Sequence, residues 1–144
     1  MRIVPPLPNM NALVQESLLQ DFDFMRRLID DYTSGANRFD QTGEALFGAF
    51  ANRQLIGVCG LNRDPYLDDP QVGRVRHLYV LADWRRHRVG RRLVEAVIAE
   101  AQSHFALLTL WTNAADMFYR SVGFTPVTHI PKATHAMQLT NPKC

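Results

Sequence analysis

The segment from residue 73 to residue 112 constrains the fold more than any other part of the sequence. It opens with the strand-like run GRVRHLYVL (73–81) and closes with FALLTLWT (105–112), an almost wholly apolar run typical of a strand buried on both faces. Between these runs, apolar residues recur at a spacing of four, which predicts an amphipathic helix. They are Val89, Leu93, Val97 and Ala101. A strand, a helix and a strand in this order predict a parallel pair joined by a right-handed crossover.

The rest of the chain predicts two helices before this unit and two strands after it. Residues 11–20 and 22–34 have helical spacing, and Gly35 is placed to end the second helix. MRIV at the N-terminus predicts a short edge strand, and ALFGAF and QLIGVCGLN predict a hairpin joined by ANR. The polar, proline-containing run RDPYLDDPQ that follows predicts a loop.

After the apolar run, Asn113 is a candidate N-cap for a short helix that Gly123 ends. FTPVTHI and THAMQL predict the last two strands. The fold class is therefore α/β (α+β), in a single domain covering residues 1–144, a length that permits one core.

Charge is distributed unevenly along the chain. The net charge is only +2, which argues against a dedicated nucleic-acid binder, yet seven arginines fall within residues 74–92, where Asp83 is the only acid. This local excess favours a compact anionic ligand over a long polymer. No run approaches the ~20 apolar residues that a membrane span requires, and the N-terminus has no signal-peptide pattern. With only Cys59 and Cys144 and no disulfide framework, we expect a cytoplasmic protein.

The stretch DWRRHRVGRRL (83–93) concentrates this positive charge where the strand ends and the helix begins. The first turn of a helix has free backbone N–H groups and the positive end of the dipole, so this turn is a candidate anion site. Gly90 there costs up to ~1 kcal/mol of helix stability relative to alanine, which a close ligand approach would explain. A solvated basic face, with Arg91 and Arg92 in water, is an equally good account of the spacing alone.

HLYVLADWRRHRVGRRLVEAVIAEA resembles the central motif of the GNAT superfamily, the acyl-CoA-dependent N-acetyltransferases. In that motif a strand leads into Gln/Arg-x-x-Gly-x-Gly/Ala and then a helix; Arg85 matches the first position and Gly90 the last. Arg88 departs from the pattern, because it stands where the family has its first glycine. NAADMFYRSVGF (113–124) resembles the family's later motif, Asn…Phe-Tyr-x-x-x-Gly-Phe. Two motifs in the right order, within a resemblance covering about residues 45–140, are more specific than either alone.

The resemblance implies a mixed, splayed central sheet of about six to seven strands flanked by about four helices, with acetyl-CoA as co-substrate. In the family, backbone N–H groups of the turn bind the CoA pyrophosphate, and the pantetheine arm pairs with the preceding strand. The cofactor-binding residues that it implies are Leu78, Tyr79, Val80, Arg85, Arg86, His87, Arg88, Val89, Gly90, Arg91 and Asn113. The acceptor would be bound by residues 9–40, 63–71 and 129–134.

Two residues are candidates for catalysis. Tyr119 matches the family's tyrosine, which would protonate the leaving thiolate; helical spacing alone favours a core tyrosine beside Phe118, and only the motif match favours the catalytic role. His77 is a candidate base only if its strand contains a bulge, since simple alternation turns it away from the site; the residue alone favours a solvated surface histidine. A water chain that carries the proton, or an amine that arrives already neutral, is an equally open alternative to a side-chain base. The usual base positions carry Arg74 and Arg76, which cannot act as bases and would instead bind a carboxylate or phosphate of the acceptor.

We therefore expect an N-acetyltransferase that moves an acetyl group from acetyl-CoA to a primary amine of a small molecule or peptide, in a ternary complex. The alternative is a catalytically silent CoA-binding or sensing module on the same fold. We expect no metal, since His104, His129 and His135 form no metal-ligand pattern, and no nucleic-acid or membrane partner. Both tryptophans are interpreted as packing residues. Dimers are common in the family, so a homodimer is compatible with the sequence.

Overall fold

The computed structural model describes residues 1–4 and 6–139. Its elements are α1 (Asn11–Leu19), α2 (Phe24–Ser34), β1 (Ala45–Ala51), β2 (Gln54–Arg63), β3 (Val72–Val80), α3 (Val89–Gln102), β4 (Leu107–Leu110), α4 (Asp116–Ser121), β5 (Thr125–Pro126) and β6 (His135–Gln138). The described strands form one mixed sheet in the order β1-β2-β3-β4-β6-β5. The predicted fold class, with about six strands and four helices, is confirmed. No described helix reaches the length and apolarity that crossing a membrane requires.

The helices cover both faces of the sheet. The apolar stripe of α3 is buried as its spacing predicts, with Val94, Val97 and Ala101 fully enclosed against β2, β3 and β4. On the opposite face, α1 and α2 bury Leu13, Met25 and Leu28 against β2 and β3. The sheet therefore lies between two apolar layers, which leaves only its edges and strand ends for a ligand.

Local signals set several of the element boundaries. Gly35 ends α2 with φ of 87°, a left-handed conformation in which glycine has no steric penalty. Asn52 and Arg53 join β1 to β2 with φ of 51° and 66°, the pair of positive values that a tight two-residue hairpin turn requires. The hairpin turn makes β1 and β2 antiparallel neighbours.

β3 and β4 separate after a short pairing. They run parallel only from Val72 to Arg74, opposite Leu107 to Thr109, while β3 continues to Val80. Beyond Arg74, β3 pairs only with β2, so its other edge has no strand partner in the described part of the chain. The sheet is therefore splayed, and the opening lies beside the turn that precedes α3.

A β-bulge interrupts β3 beside this opening. Val58 pairs with Tyr79 and Gly60 with Arg76, so His77 and Leu78 together face the single residue Cys59. His77 has φ of 59°, a rare conformation for a residue other than glycine. The bulge turns His77 toward the α1–α2 face, which Arg76 already faces by simple alternation from Val75. The condition that the sequence sets for His77 is therefore met.

Three predicted elements are shorter or displaced. The N-terminal edge strand is reduced to one bridge between Arg2 and Phe47. The apolar run 105–112 is a strand only over Leu107–Leu110, since Trp111 turns out of the sheet, and FTPVTHI contributes only Thr125–Pro126. Cys59 is buried and free, and Cys144 lies outside the described residues.

Candidate active site

A cleft of about 1430 Å³ occupies the opening between β3 and β4. One end is formed by the turn before α3 and by α4, and the other by α2, the β2–β3 loop and the loop before β6. All the residues that the sequence predicts to bind the cofactor or to act in catalysis line the cleft, except His87. His87 is exposed and lies near the Trp84 ring, with 5.8 Å between ring centroids. The fold thus brings the two sequence motifs to one site.

The turn before α3 presents a run of unsatisfied backbone donors. The first hydrogen bond of α3 runs from the Arg92 N–H to the Arg88 carbonyl. None of the six consecutive N–H groups from residue 86 to residue 91 donates to an acceptor in residues 1–4 or 6–139. Because unpaired N–H groups at a helix N-terminus bind anions, this turn is a candidate phosphate cradle.

The turn is closed by two arginines in the left-handed conformation. Arg86 has φ of 67°, and Arg88, the N-cap residue of α3, has φ of 64° and ψ of 14°. Glycine at the position of Arg88 would adopt this conformation without strain, which explains the family's glycine there. Arg88 keeps its N–H, so the departure from the motif leaves the set of donors complete.

Gly90 is not required by the fold. Its φ is not positive, and an added Cβ would lie 3.7 Å from Phe118 and Val80, an ordinary contact distance. Gly90 lines the cleft, and an added Cβ there would lie beside the Phe118 ring. A glycine that packing and backbone conformation do not need is consistent with a ligand approaching the helix there.

Arg85, the first motif residue, fixes the turn to α1. Its Nε donates to the Val80 carbonyl at 3.0 Å, and its Nη2 lies 3.6 Å from the Glu16 carboxylate. Glu16 also accepts hydrogen bonds from the Tyr79 hydroxyl at 2.6 Å and from the Ala82 N–H at 2.8 Å. Burial and this bond to Glu16 raise the pKa of Tyr79. The predicted cofactor residues Tyr79 and Arg85 thus line the cleft, and their side chains hold the turn in place.

Tyr119 projects from α4 into the cleft and is 7% exposed. Its ring packs edge-on against Phe118 and Phe124. Burial raises the pKa of Tyr119, so the phenol stays protonated at neutral pH. The residue is therefore both the core tyrosine and the cleft tyrosine that the sequence offered as alternatives.

A hydrogen-bonded chain that sequence reasoning missed holds α4 against β6. His135 Nε2 lies 2.7 Å from Asp116 Oδ1, and His135 Nδ1 lies 2.8 Å from the Thr134 hydroxyl, which accepts from the Thr112 N–H. The Arg120 and His135 hydrogen bonds lower the pKa of Asp116. Because Asp116 begins the helix that carries Tyr119, this chain fixes the position of the tyrosine.

His77 lies on the cleft side of β3 beside Phe39, with 6.2 Å between ring centroids. Its Nε2 is buried and has no hydrogen-bond partner among the described residues. Burial, reinforced by the charges of Arg76 and Arg27, lowers the pKa of His77 to about 4. The imidazole is therefore neutral and a weak base. This disfavours a role as general base, which stays a prediction from the sequence.

Two further predictions need correction. Asn113 does not cap α4: the N-cap is Ala115, whose N–H donates to the Thr112 hydroxyl oxygen at 3.2 Å. Asn113 lies exposed at the rim of the cleft. Trp111 is 53% exposed and lines the cleft, so it is not a packing residue. Both follow from the early end of β4, which places residues 111–115 in a turn.

A buried ion pair that the sequence did not predict lies between the paired parts of β3 and β4. Arg74 Nη1 is 3.6 Å from Asp64 Oδ2, and Arg74 Nη2 donates to the Lys132 carbonyl at 2.6 Å. The Thr109 hydroxyl donates to the same Asp64 oxygen at 2.6 Å. Asp64 belongs to a segment expected to be a polar loop, and only its buried position in the fold reveals this role.

Comparisons with known proteins agree with this geometry. Residues 42–126 match the family model described as an acetyltransferase (GNAT) domain. A protein from Exiguobacterium sp. 255-15 assigned as an acetyltransferase is similar over 96% of this chain and 91% of its own, with 28% identity and a TM-score of 0.86. A GNAT family acetyltransferase from Elizabethkingia anophelis, solved with acetyl-CoA bound, is similar over 96% of both chains, with 19% identity and a TM-score of 0.65. Among curated proteins, none matches this sequence.

Proposed function

The chain belongs to the GNAT family of acetyltransferases, and on this premise we propose that it is an N-acetyltransferase that moves an acetyl group from acetyl-CoA to a primary amine. Both substrates occupy the cleft together, and the amine attacks directly. One observation carries the proposal: the turn of residues 86–91 presents six backbone N–H groups without acceptors in the described part of the chain, at one end of the cleft.

The residues of the cleft fit acetyl-CoA, which supplies an acyl group activated as a thioester. The N–H groups of the turn, with Arg86 and Arg91 beside them, bind the pyrophosphate. The unpaired edge of β3 at Leu78 and Tyr79 binds the amides of the pantetheine arm in the manner of an added strand. Asn113 borders the same opening from the other side.

Tyr119 is the proposed proton donor to the leaving thiolate. Its raised pKa keeps the proton on the phenol until the thiolate develops. Its position on α4, anchored through Asp116 and His135, keeps the hydroxyl at a fixed place in the cleft.

Binding and turnover test the proposal separately. Calorimetry should show acetyl-CoA binding to the native chain, and a thiol-release assay over a panel of primary amines should show turnover. Tyr119→Phe should lower kcat by about 10²-fold, the scale of general acid catalysis, with the acetyl-CoA Kd unchanged. Tyr32→Phe, on α2 and away from the cleft, is the matched control and should leave both quantities unchanged.

Binding without thiol release from any amine would support the silent CoA-binding module instead. Absence of acetyl-CoA binding would overturn the proposal altogether.

A further inference from the structure

The charged side chains that line the cleft all have the same sign. Eight of the cleft's lining residues are cationic, and none of the lining residues in the described ranges is Asp or Glu. The cations are Arg27, Arg74, Arg76, Arg85, Arg86, Arg88, Arg91 and Lys132. The four from 85 to 91 surround the turn proposed for the CoA phosphates, so four remain at the acceptor end.

The cations at the acceptor end differ in how far their charge is already compensated. Arg74 is paired with Asp64 and lies 4.7 Å from the centre of the Tyr66 ring, so its guanidinium is occupied. Arg27 lies 3.6 Å from Asp23 in an exposed pair, which screens it weakly. Arg76 and Lys132 have no carboxylate within 4.0 Å in residues 1–4 and 6–139.

The side chain of Arg76 is central to this arrangement. It is half-buried, and it lies on the same face of β3 as its neighbour His77 because of the bulge. It also borders a second cavity, of about 290 Å³, whose lining includes Asp31, Asp40 and Glu44, yet none of these carboxylates comes within 4.0 Å of it. A half-buried guanidinium without a carboxylate partner favours an anionic ligand group.

The field of these charges reaches the interior of the cleft. Arg76 and Arg27 both lower the pKa of His77, after burial itself. The same field lowers the pKa of an ammonium group bound nearby, because like charges disfavour the protonated form. The charged and titratable groups that line this part of the cleft are Arg27 on α2, Arg74, Arg76 and His77 on β3, Tyr66 after β2, Lys132 before β6, and Tyr119 on α4. Two carboxylates lie behind them: Asp23, the N-cap residue of α2, beside Arg27, and Asp64 beside Arg74. An amine can therefore reach the reactive neutral form without a carboxylate base.

Such a cleft repels an acceptor with several positive charges. Exposed aromatic side chains also line the cleft: Phe22, Tyr66 and Trp111 are 47%, 50% and 53% exposed. They offer apolar surface to the body of a small molecule.

We propose that the acceptor is a small primary amine that also carries an anionic group, a carboxylate or a phosphate, bound by Arg76 together with Arg27 and Lys132. The inference rests on the proposed acetyl transfer and adds the substrate class. The anionic group supplies binding energy, and the surrounding cations keep the amine neutral.

Matched acceptors test the inference with the native protein. Apolar α-amino acids, their carboxamides, aminoalkyl phosphates and linear polyamines are compared by thiol release in the presence of acetyl-CoA. We expect kcat/KM for at least one of the two anionic classes to exceed that for the carboxamides and polyamines by about tenfold or more, the scale of one charge-assisted hydrogen bond. The anionic class that is preferred identifies whether the group is a carboxylate or a phosphate.

A charge variant provides the second readout. Arg76→Gln should lower kcat/KM for the preferred anionic acceptor by about tenfold. It should lower kcat/KM for the matched neutral acceptor by a smaller factor, because that acceptor loses only one cation of the field acting on its amine. Arg26→Gln, on the exposed face of α2 beside Arg27 and outside the cleft, is the control and should change neither value. Acetyl-CoA binding by each variant shows that it is folded.

The outcomes separate the two proposals. If neutral or polycationic amines are acetylated as well as the anionic ones, acetyl transfer stands and the proposed substrate class is wrong. If acetyl-CoA binds but no class of amine releases thiol, both the proposed function and this inference fail.

Discussion

At one end of the cleft the proposed recognition groups are backbone amides of six neighbouring residues, whereas at the other end they are side chains from four separate segments. The turn end depends on the conformation of residues 86–91, which Arg85 and Glu16 hold against α1. The acceptor end depends on Arg27, Tyr66, Arg76 and Lys132, which only the fold brings together. Backbone donors are the same whatever the side chain, so the turn end tolerates a residue such as Arg88 that departs from its motif.

The difference predicts where mutations act. At the turn end, a substitution matters when it changes the backbone or fills the space of the ligand. At the acceptor end, each side chain contributes its own charge and contacts, and one of them, Arg74, also supports the fold.

The largest effect is expected from breaking the buried ion pair under the acceptor end. Arg74 is 8% exposed and Asp64 is fully buried, so Arg74→Met leaves an uncompensated buried carboxylate. We expect a loss of about 3–5 kcal/mol in the free energy of unfolding, measured by denaturant titration. Arg120→Met, which breaks the exposed pair with Asp116, is the control and should cost about 1 kcal/mol or less. Equal, small losses in the two variants would contradict a supporting role for Arg74.

The second effect concerns the turn end. Gly90→Glu places a bulky anion in the proposed phosphate cradle, and we expect the acetyl-CoA Kd to rise more than about 100-fold because like charges are brought together. Gly90→Ala adds only a Cβ at ordinary contact distance and should change the Kd less than about fivefold, while gaining up to about 1 kcal/mol of stability from helix propensity. Calorimetry measures the first quantity and denaturant titration the second. An equal affinity of the Glu and native proteins would place the phosphates elsewhere.

Sequence reasoning succeeded where the signal was local. The stripe of α3, the glycine end of α2 and the turn before α3 depend on residues within a few positions of one another. The opening between β3 and β4 came from the family resemblance, and the bulge at His77 was required by one candidate role rather than derived from its residues.

Sequence reasoning failed where distant residues decide the outcome. The sequence predicts Asn113 as the cap of α4, but the N–H of Ala115 at the start of the helix donates to the Thr112 hydroxyl instead. Thr112 is held there by its own N–H, which donates to the hydroxyl of the distant Thr134. Asp64 sits in a polar run that predicts exposure, yet it is buried because Thr109 and Arg74 satisfy its carboxylate. No motif defines the acceptor end, because no spacing in the sequence relates its side chains. The family resemblance named the segments that contain Arg27, Tyr66 and Lys132, but which of their side chains line the cleft follows only from the fold.

The smallest expected effect, at Arg88, distinguishes a backbone site from a side-chain site most directly. A left-handed conformation costs a residue with a Cβ roughly 1–2 kcal/mol, and glycine avoids this cost but loses more entropy on folding. Arg88→Gly should therefore change the free energy of unfolding by between zero and about +1 kcal/mol. His87→Gly is the control: its φ is not positive, so only the entropic loss remains and stability should fall by about 0.5–1 kcal/mol.

Because Arg88→Gly keeps every N–H of the turn, acetyl-CoA affinity should stay within about threefold of the native value. A tenfold loss would mean that the guanidinium of Arg88 itself binds the phosphates, and the turn end would then resemble the acceptor end in depending on side chains.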